Sequence, residues 1–376
     1  MKKITIIGAG IGGLTTAIAL KQQGFEVEIF ETTVKFKKAG SGINLAINAM
    51  QIYKRLGIYE AILKAGNYTN TIKIRTKKLG LLTSTNLKKI EKKHNVKTVA
   101  IHRATLHKIL VKHLENTEIK LNMRLKSLAQ ENGKVILNFE DGTSHIAEIV
   151  IGADGIHSNV RNSIFADTIL RDAKQVCWRG ISTVSIDANH REELNEIWGK
   201  GKRFGFVQIT KHEVYWYALI NKKDFKSKDV NLITIFSDYH QTVKDIITNT
   251  PKENILCNEI WDLKPIVNWH KGNVCLVGDA AHATTPNMGQ GAVQAIESAM
   301  ALSISLKEAK NAIDAFNRYQ KIRKEKANYI VKTSWSIGKM AQSNNLIVCV
   351  LRDFIVKLIP KSVTEKQSKK MFELNF

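Results

Sequence analysis

The first thirty residues combine a short apolar run with a longer stretch of helical periodicity. Ile4–Ile7 is largely apolar and β-branched, as a buried strand requires, and apolar residues then recur at helical spacing from Leu14 to Gln23. Gly24 is placed to end that helix, and Phe25–Phe30 has the pattern of a second strand. The chain is therefore predicted to begin with a β-α-β unit.

Similar patterns predict the elements of the remaining chain. Strands are predicted at Ile119–Met123, Val135–Phe139, Ala147–Ile151, Trp178–Val184, Gly205–Ile209, Val214–Ile220 and Val274–Val277. The second and third of these are expected to form a hairpin. Helices are predicted at Asn48–Leu56, Ala104–Leu114, Leu232–Ile247, Ala292 to about Ala309, and Ala312–Lys332. Residues 66–100 have the pattern of short strands and polar loops, which indicates an insertion.

The C-terminal stretch Asn344–Ile359 is amphipathic and is halted by Pro360. Two interpretations fit it: weak association with a membrane surface through residues 344–360, or packing onto the body of the protein, which is favoured. No apolar run has the length of a membrane span and no secretory signal is evident, so stable membrane insertion is not expected.

Composition adds constraints on partners and compartment. With 44% hydrophobic and 24% charged residues, the 376-residue chain has the composition of a globular protein large enough for two cores. Its net charge of +23 is compatible with nucleic-acid binding, but no nucleic-acid motif is recognised. A lysine-rich surface that attracts anionic nucleotides and acidic substrates is favoured. The four cysteines form no CxxC pair, so no metal site or redox disulfide is expected, and a cytoplasmic location fits best.

The turn after the first strand has the spacing of a dinucleotide-binding turn. Gly8, Gly10, Gly12 and Gly13 lie between the first strand and the first helix, and Glu31 closes the second strand. In such a turn one glycine permits the tight bend, the next lets the backbone approach a pyrophosphate, and the last allows close helix–strand packing. The helix N-terminus binds the phosphates, and the acid accepts hydrogen bonds from ribose hydroxyls. The sequence therefore predicts a dinucleotide site here.

Two further glycine-bearing turns follow predicted strands, and each carries an acid. They are Gly152-Ala153-Asp154-Gly155 and Gly278-Asp279-Ala280-Ala281-His282. Beyond the second turn, Gly289-Gln290-Gly291 opens the helix that begins at Ala292, and this N-terminus suits an anion or an electron-rich ring. The glycines of Ala39-Gly40-Ser41-Gly42 indicate backbone packed closely against something flat.

These three motifs, in this order, resemble those of the single-component FAD-dependent flavoprotein monooxygenases of the aromatic-hydroxylase type. The group includes the para-hydroxybenzoate, salicylate and urate hydroxylases and zeaxanthin epoxidase, and the chain is most similar to the salicylate, urate and zeaxanthin branch. The resemblance runs from residue 2 to about 330. It implies an α/β fold with a Rossmann-like FAD-binding domain, an inserted β-sheet substrate domain and a C-terminal helical region, as in para-hydroxybenzoate hydroxylase.

The resemblance also implies domain boundaries. The FAD-binding domain is expected to be discontinuous, over residues 1–170 and 265–330. Residues 66–100 and 171–264 are expected to form β-rich substrate-binding portions, with aromatic residues on a sheet that covers a pocket, and residues 331–376 the helical region. A monomer and a homodimer both remain open.

Individual residues take their expected roles from the same resemblance. Glu31 is expected to hold the adenosine ribose, Arg103 to contact the flavin nucleotide, Asp154 with Gly155 to support the pyrophosphate region, and Asp279 to bond the ribityl chain. Backbone N–H groups from Gly289 and Gly291 to Ala292 are expected to face the pyrimidine edge of the flavin.

The candidate catalytic residues are Pro286, expected to border the ring where oxygen reacts, together with Arg203 and Tyr215. One departure from the family concerns Asn287, which stands where some members, including urate hydroxylases, carry an acid.

The implied chemistry belongs to the cofactor. NADPH or NADH, docking transiently, reduces FAD, and molecular oxygen forms a flavin C4a-hydroperoxide that transfers one oxygen atom to a small, aromatic or polycyclic organic substrate. One alternative is a flavin-dependent reductase or epoxidase that acts on an isoprenoid-type substrate. Another is a basic nucleotide-binding interaction protein without activity. A halogenase is disfavoured because its WxWxIP signature is absent.

Overall fold

The computed structural model describes residues 3–36 and 41–376, with residues 361–366 described by their backbone alone. Ala39 and Gly40 of the glycine-bearing segment noted above lie outside the described residues. The strands are β1 (Lys3–Ile7), β2 (Glu26–Phe30), β3 (Gly42–Leu45), β4 (Asn67–Tyr68), β5 (Thr71–Thr76), β6 (Leu81–Asn86), β7 (Val99–His102), β8 (Glu118–Lys120), β9 (Leu125–Glu131), β10 (Lys134–Phe139), β11 (Ser144–Ala147), β12 (Ile149–Gly152), β13 (Leu170–Ser182), β14 (Glu193–Trp198), β15 (Lys202–Gln208), β16 (Val214–Asn221), β17 (Leu256–Leu263), β18 (His270–Lys271) and β19 (Val274–Leu276).

The helices follow the same chain order. They are α1 (Ile11–Gln22), α2 (Ile47–Arg55), α3 (Tyr59–Ala65), α4 (Lys88–His94), α5 (Arg103–Lys112), α6 (Asn159–Ile164), α7 (Leu232–Ile235), α8 (Gln241–Thr248), α9 (Asp279–His282), α10 (Gly291–Glu308), α11 (Ala312–Ala341), α12 (Leu346–Leu358) and α13 (Lys361–Phe372).

A six-stranded sheet of order β18-β19-β12-β1-β2-β8 lies in the larger core. β1 pairs in parallel with β2 and β12, and β12 pairs in parallel with β19. The small antiparallel sheet β11-β10-β9 covers the face of β2 that carries Phe30, whose ring stacks on Phe139 at 4.9 Å. Ile4, Ile6 and Ile7 are all buried, because both faces of a parallel sheet are covered. This explains the continuous apolar run in the sequence.

A seven-stranded sheet of order β17-β13-β16-β15-β14-β5-β6 forms the second half of the molecule. The parallel pairing of β14 with β5 joins the 66–100 segment to the sheet of the 171–264 segment. One face carries an aromatic core, in which Phe204 and Trp216 stack at 5.5 Å. The opposite face carries polar side chains such as Arg203 beside apolar ones such as Val207 and Leu219. We propose the domain boundaries that the sequence suggested, and the sheet that residues 66–100 share with residues 171–264 supports them.

The predicted hairpin has a different partner strand in the structure. β10 pairs with β11, Ser144–Ala147, whereas Ile149–Gly152 leaves the hairpin and joins β1 in the central sheet. The prediction of one strand over Ala147–Ile151 was wrong because two short strands follow one another with only Glu148 between them. Apolar residues lie on both sides of Glu148, so the local pattern does not mark where the chain changes sheets.

The single helix predicted over Leu232–Ile247 is two helices, α7 and α8. The residues between them are tied to β15, since Lys202 Nζ bonds Asp238 Oδ1 at 2.7 Å and Tyr239 donates to the carbonyl oxygen of Lys202 at 2.8 Å. His240 then caps α8. These long-range bonds divide a segment whose spacing is helical throughout.

The C-terminal region contains three helices. α11 extends well beyond the predicted end at Lys332, to Ala341, and α13 returns to α2, where Phe372 is buried in the main core. None of the helices in the described parts of the chain combines the length and apolar character needed to cross a membrane.

Candidate functional site

Two glycines in the loop between β1 and α1 leave no room for a side chain. Gly8 has a φ of +105°, and a Cβ atom there would lie 2.5 Å from the carbonyl oxygen of Ala153. A Cβ atom on Gly13 would lie 1.9 Å from the carbonyl oxygen of Gly8. The first two glycine-bearing turns therefore pack directly against each other, and α1 packs against its own preceding loop.

Gly10 lies in different surroundings. It is exposed, and no heavy atom lies within 4 Å of the position that its Cβ atom would occupy. No side chain caps α1, so the N–H groups of its first turn are directed toward the open space at Gly10. Gly12 lies toward the protein, where a Cβ atom would approach that of Ala295 in α10 to 3.2 Å. This loop has the properties of an anion-binding concavity.

Glu31 connects the end of β2 to this glycine loop. Its carboxylate accepts hydrogen bonds from the backbone N–H of Ala9 at 2.7 Å and of Thr33 at 2.9 Å. His107 of α5 bonds the carbonyl oxygen of Ala9 at 2.8 Å. His107 was not predicted, because the pattern of α5 gives no sign that one side chain crosses to the loop.

Arg103 and Asp279 lie close enough to interact, and both side chains are exposed. Neither forms a hydrogen bond or an ion pair with a side chain that the structure describes. Surrounding protein raises the pKa of Asp279, and the positive charge of Arg103 opposes that shift. Solvent reaches the carboxylate of Asp279 from one side, and protein surrounds it on the others, so it lies in a groove. The structure thus brings α5 and α9 to a common groove.

The acid of the second turn is used within the fold. Asp154 accepts hydrogen bonds from Ser158 Oγ at 2.5 Å and from the N–H of Val160 at 3.1 Å, and Ser158 caps α6. Burial raises the pKa of Asp154 even though these bonds oppose the shift. Gly155 has a φ of +81° and open space at its Cβ position. Direct support of a pyrophosphate by Asp154 therefore stays a prediction.

The loop before α10 contains Pro286 and Gly289, which are both exposed. Gly289 has a φ of +61° with open space at its Cβ position, and no side chain caps α10. A Cβ atom on Gly291 would make an ordinary contact at 3.6 Å with Thr284, so a side chain tolerates this position better than the sequence suggests. Ala292, one residue further, is half-buried.

A buried polar cluster lies beneath the start of α10. Glu297 accepts hydrogen bonds from Arg323 at 2.5 Å, from Lys326 at 2.9 Å and from Asn48 at 2.5 Å. Burial lowers the pKa of Lys326, although Glu297 acts in the opposite direction. Asn48 also donates to Gln290, the residue before α10, at 3.1 Å. This cluster, which the sequence did not predict, holds the position of the helix N-terminus.

Arg203 is fully buried on the face of the seven-stranded sheet opposite the aromatic core. Its guanidinium donates to four side-chain oxygens: Gln342 at 2.9 Å, Glu196 at 3.1 Å, Gln175 at 3.2 Å and Asn287 at 2.6 Å. Asn287 lies one residue after Pro286, so this last bond ties the sheet to the loop before α10.

The amide of Asn287 also donates to Thr285 Oγ1 at 2.8 Å and to the carbonyl oxygen of Ser334 at 2.9 Å. A carboxylate cannot donate. The geometry therefore explains why an amide, and not an acid, stands at Asn287.

Tyr215 lies on the same sheet face, against β3. A Cβ atom on Gly42 would lie 2.5 Å from Tyr215 Cγ, so the backbone of β3 packs directly on the tyrosine ring. Burial raises the pKa of Tyr215, and the charges of Arg179 and Arg103 oppose the shift. The phenol is therefore protonated at neutral pH and can donate a hydrogen bond.

Arg179, which the sequence did not single out, lies beside Tyr215. Its Nε–H is buried and has no acceptor among the described residues. Burial lowers the pKa of Arg179, but the neighbouring Cys177 and Tyr215, together with a hydrogen bond between the guanidinium and Cys177, outweigh this and raise it. The structure therefore places a charged guanidinium on the sheet face toward β3, with its Nε–H unpaired among the described residues.

The arrangement meets the requirements of FAD. The uncapped start of α1 and Arg103 offer donors for a pyrophosphate, and Glu31 offers an acceptor for a ribose. Asp279 offers an acceptor in the groove, and the start of α10 offers N–H groups for an electron-rich ring edge. The guanidinium of Arg103 and the carboxylate of Asp279 form no hydrogen bond or ion pair with a described side chain, so both are available to a cofactor.

Comparison with known proteins gives the same answer. The family model described as FAD binding domain matches residues 1–334. The chain belongs to this family. It is 30% identical over 371 residues to the aurachin C monooxygenase/isomerase of Stigmatella aurantiaca, covering 98% of this chain and 97% of that protein. It is 28% identical over 376 residues to the 2-heptyl-3-hydroxy-4(1H)-quinolone synthase of Pseudomonas aeruginosa, covering 98% and 97%.

The fold is shared with a solved structure, Klebsiella pneumoniae HpxO complexed with FAD and uric acid. The TM-score is 0.91 at 21% sequence identity, covering 99% of this chain and 96% of that one. The predictions of family, fold, FAD and an FAD-dependent monooxygenase that uses NAD(P)H are confirmed. The alternative of an interaction protein without activity is set aside.

Proposed function

We propose that this FAD-dependent monooxygenase hydroxylates a heteroaromatic ring, at the ring carbon next to one that carries an oxo or hydroxyl group. The observation that carries the proposal is the buried Nε–H of Arg179, which has no acceptor among the described residues and lies beside the phenol of Tyr215. A buried donor without an acceptor costs about 1–3 kcal/mol. A substrate oxygen placed between Arg179 and Tyr215 would satisfy it.

The substrate class proposed first is that of the 4(1H)-quinolones with an apolar chain on the ring. The name of the Pseudomonas aeruginosa relative describes a 2-heptyl-3-hydroxy-4(1H)-quinolone as its product, and the two chains match over nearly their whole lengths. The 4-oxo group of a quinolone could accept hydrogen bonds from both the cationic guanidinium of Arg179 and the neutral phenol of Tyr215. Positive charge at Arg179 favours the enolate form, which makes the neighbouring ring carbon electron-rich.

We propose the following roles on the cofactor side. Glu31 binds the adenosine ribose, Arg103 the flavin nucleotide and Asp279 the ribityl chain, while the starts of α1 and α10 supply N–H groups. FAD, reduced by NADH or NADPH, activates molecular oxygen when bound. Pro286 borders the reacting face.

Arg203 is proposed as a positioning residue. Its four bonds leave little donor capacity for a substrate, and its bond to Asn287 fixes the loop of Pro286 against the sheet. All four cysteines are free thiols. We propose that the enzyme works in the cytoplasm, where such thiols persist.

A substrate panel tests the proposal. NADH and NADPH consumption would be followed with 2-alkyl-4(1H)-quinolones, hydroxylated pyridine acids, salicylate, urate and an isoprenoid, and each product would be checked for the mass of one added oxygen. We expect stimulation and hydroxylation with quinolones. Oxygenation of the isoprenoid alone would favour the alternative substrate class.

The variant Arg179→Met tests whether the side chain of Arg179 binds the substrate oxygen. Loss of one charge-assisted hydrogen bond of about 1.5–3 kcal/mol should lower kcat/KM roughly tenfold to a hundredfold. Arg179→Lys should restore part of the loss, and Lys174→Met, an exposed change on the same strand, should have no effect. Unchanged kcat/KM and pH profile in Arg179→Met would remove Arg179 from the substrate site.

A further inference from the structure

Helix α12 is attached to the protein by a narrow stripe of its surface. Cys349, Arg352 and Val356 are its buried residues. Arg352 donates to the carbonyl oxygen of Ala341 at 2.9 Å, and its guanidinium lies 5.0 Å from the ring centre of Trp198. Val356 packs with Leu82 and Trp198. The helix is therefore fixed in orientation by contacts with β6, β14 and the end of α11.

The rest of the helix surface presents apolar side chains to solvent. Eighteen large apolar side chains are exposed in the described chain, and nine of them lie between residues 346 and 359. They are Leu346, Ile347, Val348, Val350, Leu351, Phe354, Ile355, Leu358 and Ile359. A contiguous apolar patch of this kind marks an interaction surface. The favoured expectation that this segment packs onto the body of the protein was wrong for its apolar face.

Three exposed lysines lie on or near α12. Lys357 lies on α12, Lys339 lies near the end of α11, and the N–H of Gly201 bonds the carbonyl oxygen of Ser343, which brings Lys200 near the start of α12. All three lysines are exposed, and none forms an ion pair with a described residue. The acid of α12, Asp353, is bonded to Arg352 at 2.8 Å. Among the residues whose side chains the structure describes, the patch therefore has no unpaired negative charge.

We propose that α12 docks this enzyme onto the surface of an anionic lipid bilayer. The helix would lie in the plane of the interface, with Ile347 and Phe354 among the apolar groups and lysines near the headgroups. A helix of 13 residues reaches about 20 Å, too short to span the hydrocarbon layer. Its exposed face is suited to lie on a bilayer rather than to cross it.

Charge favours lipid over a second copy of the chain. A symmetric dimer through α12 would bring two basic rims together, each on a chain of net charge +23. Anionic headgroups neutralise the same rim. The docking proposal itself does not depend on the proposed function. Only its benefit does, because a substrate with an apolar chain partitions into the bilayer.

Vesicle flotation of the FAD-loaded full chain tests the proposal without turnover. We expect the protein to float with vesicles of phosphatidylcholine and phosphatidylglycerol, weakly with phosphatidylcholine alone, and less as salt is raised. The double variant Ile347→Asp/Phe354→Asp should lower the partition coefficient by at least about tenfold. FAD content and NAD(P)H oxidation with a water-soluble substrate should not change.

The matched control is Val267→Asp/Ile146→Asp, which changes two exposed apolar residues away from α12. It should bind vesicles like the unchanged chain. Failure of the unchanged chain to float with anionic vesicles at low salt would overturn the proposal. So would equal losses in both double variants. A third outcome would assign the patch to a second copy of the chain. In that case the unchanged chain would be a dimer by light scattering, the α12 variant would be a monomer, and neither would bind vesicles.

Discussion

Gly10 and Gly13 lie in one loop, and a side chain at each would meet different surroundings. At Gly13 it would collide with the backbone of Gly8, whereas at Gly10 it would enter open space. The two positions therefore separate the requirements of folding from those of cofactor binding.

We expect Gly10→Val to fold and to lose FAD. The φ of −70° at Gly10 is compatible with valine, so the apoprotein should keep its thermal unfolding temperature, while the side chain fills the space proposed for the pyrophosphate. FAD titration by flavin fluorescence and scanning calorimetry of the apoprotein measure the two effects. Gly13→Val is the control and should fail to fold. Full FAD affinity in Gly10→Val would place the pyrophosphate elsewhere.

Residues within short motifs could be predicted from the sequence, and residues assembled over long distances could not. Gly8, Glu31 and Asp279 follow strands in recognisable spacing. Asn48 and Glu297 are joined by a hydrogen bond across 249 positions, and no local pattern records it. Arg179 had no signal either, because alternation in β13 predicts a face and not the absence of an acceptor.

At the scale of elements, α10 depends on the charge cluster beneath it. Glu297 is the acid between two buried cations, Arg323 and Lys326. We expect Glu297→Gln to lower the free energy of unfolding by about 3–5 kcal/mol, since both cations would lose their counter-charge. Urea denaturation measures this. Glu308→Gln, on the exposed end of the same helix, should cost less than about 1 kcal/mol. Similar losses in the two variants would contradict the account.

Strand β2 carries a pH-sensitive contact at Glu28. Burial acts to raise the pKa of this carboxyl, but bonds from Lys3, Thr5 and His145 outweigh it and lower the pKa below its ordinary 4.5. The unfolded chain then binds the proton at higher pH than the folded chain. The stabilisation is complete above about pH 4.5 and is lost as the pH falls through the folded pKa.

The unchanged chain should therefore lose stability on acidification more steeply than Glu28→Gln does. Unfolding midpoints measured between neutral pH and mild acid test this. Glu26→Gln, an exposed change on the same strand, should follow the unchanged chain. Parallel acid profiles for Glu28→Gln and the unchanged chain would show that Glu28 is not the linked group.

Element types were largely predictable because periodicity is a local property. The β-α-β start, α5, α10 and the aromatic sheet have the predicted character. The misplaced strand over Ala147–Ile151 and the undivided helix over Leu232–Ile247 share one cause. Their boundaries are set by pairing with β1 and by bonds to Lys202, which are distant in the sequence.

At the scale of the whole molecule, the proposed FAD groove is assembled from three separated parts of the chain. β1, β12 and β19 are neighbours in one sheet, and each is followed by a glycine-bearing turn. Parallel strands place these turns at one edge. The resemblance to a known family supplied this assembly; periodicity alone gave the parts. The orientation of α12 needed the structure, because an amphipathic pattern does not state which face is covered.

The most direct test of the account is to run the reaction under isotopically labelled oxygen gas with FAD-loaded protein, NAD(P)H and a 2-alkyl-4(1H)-quinolone. Mass spectrometry of the product and a peroxide assay would be read from the same sample. The account predicts one labelled oxygen atom in each product molecule, one NAD(P)H consumed per product, and little peroxide. NAD(P)H consumption that ends in peroxide with every ring substrate of the panel, or oxygen taken from water, would contradict it.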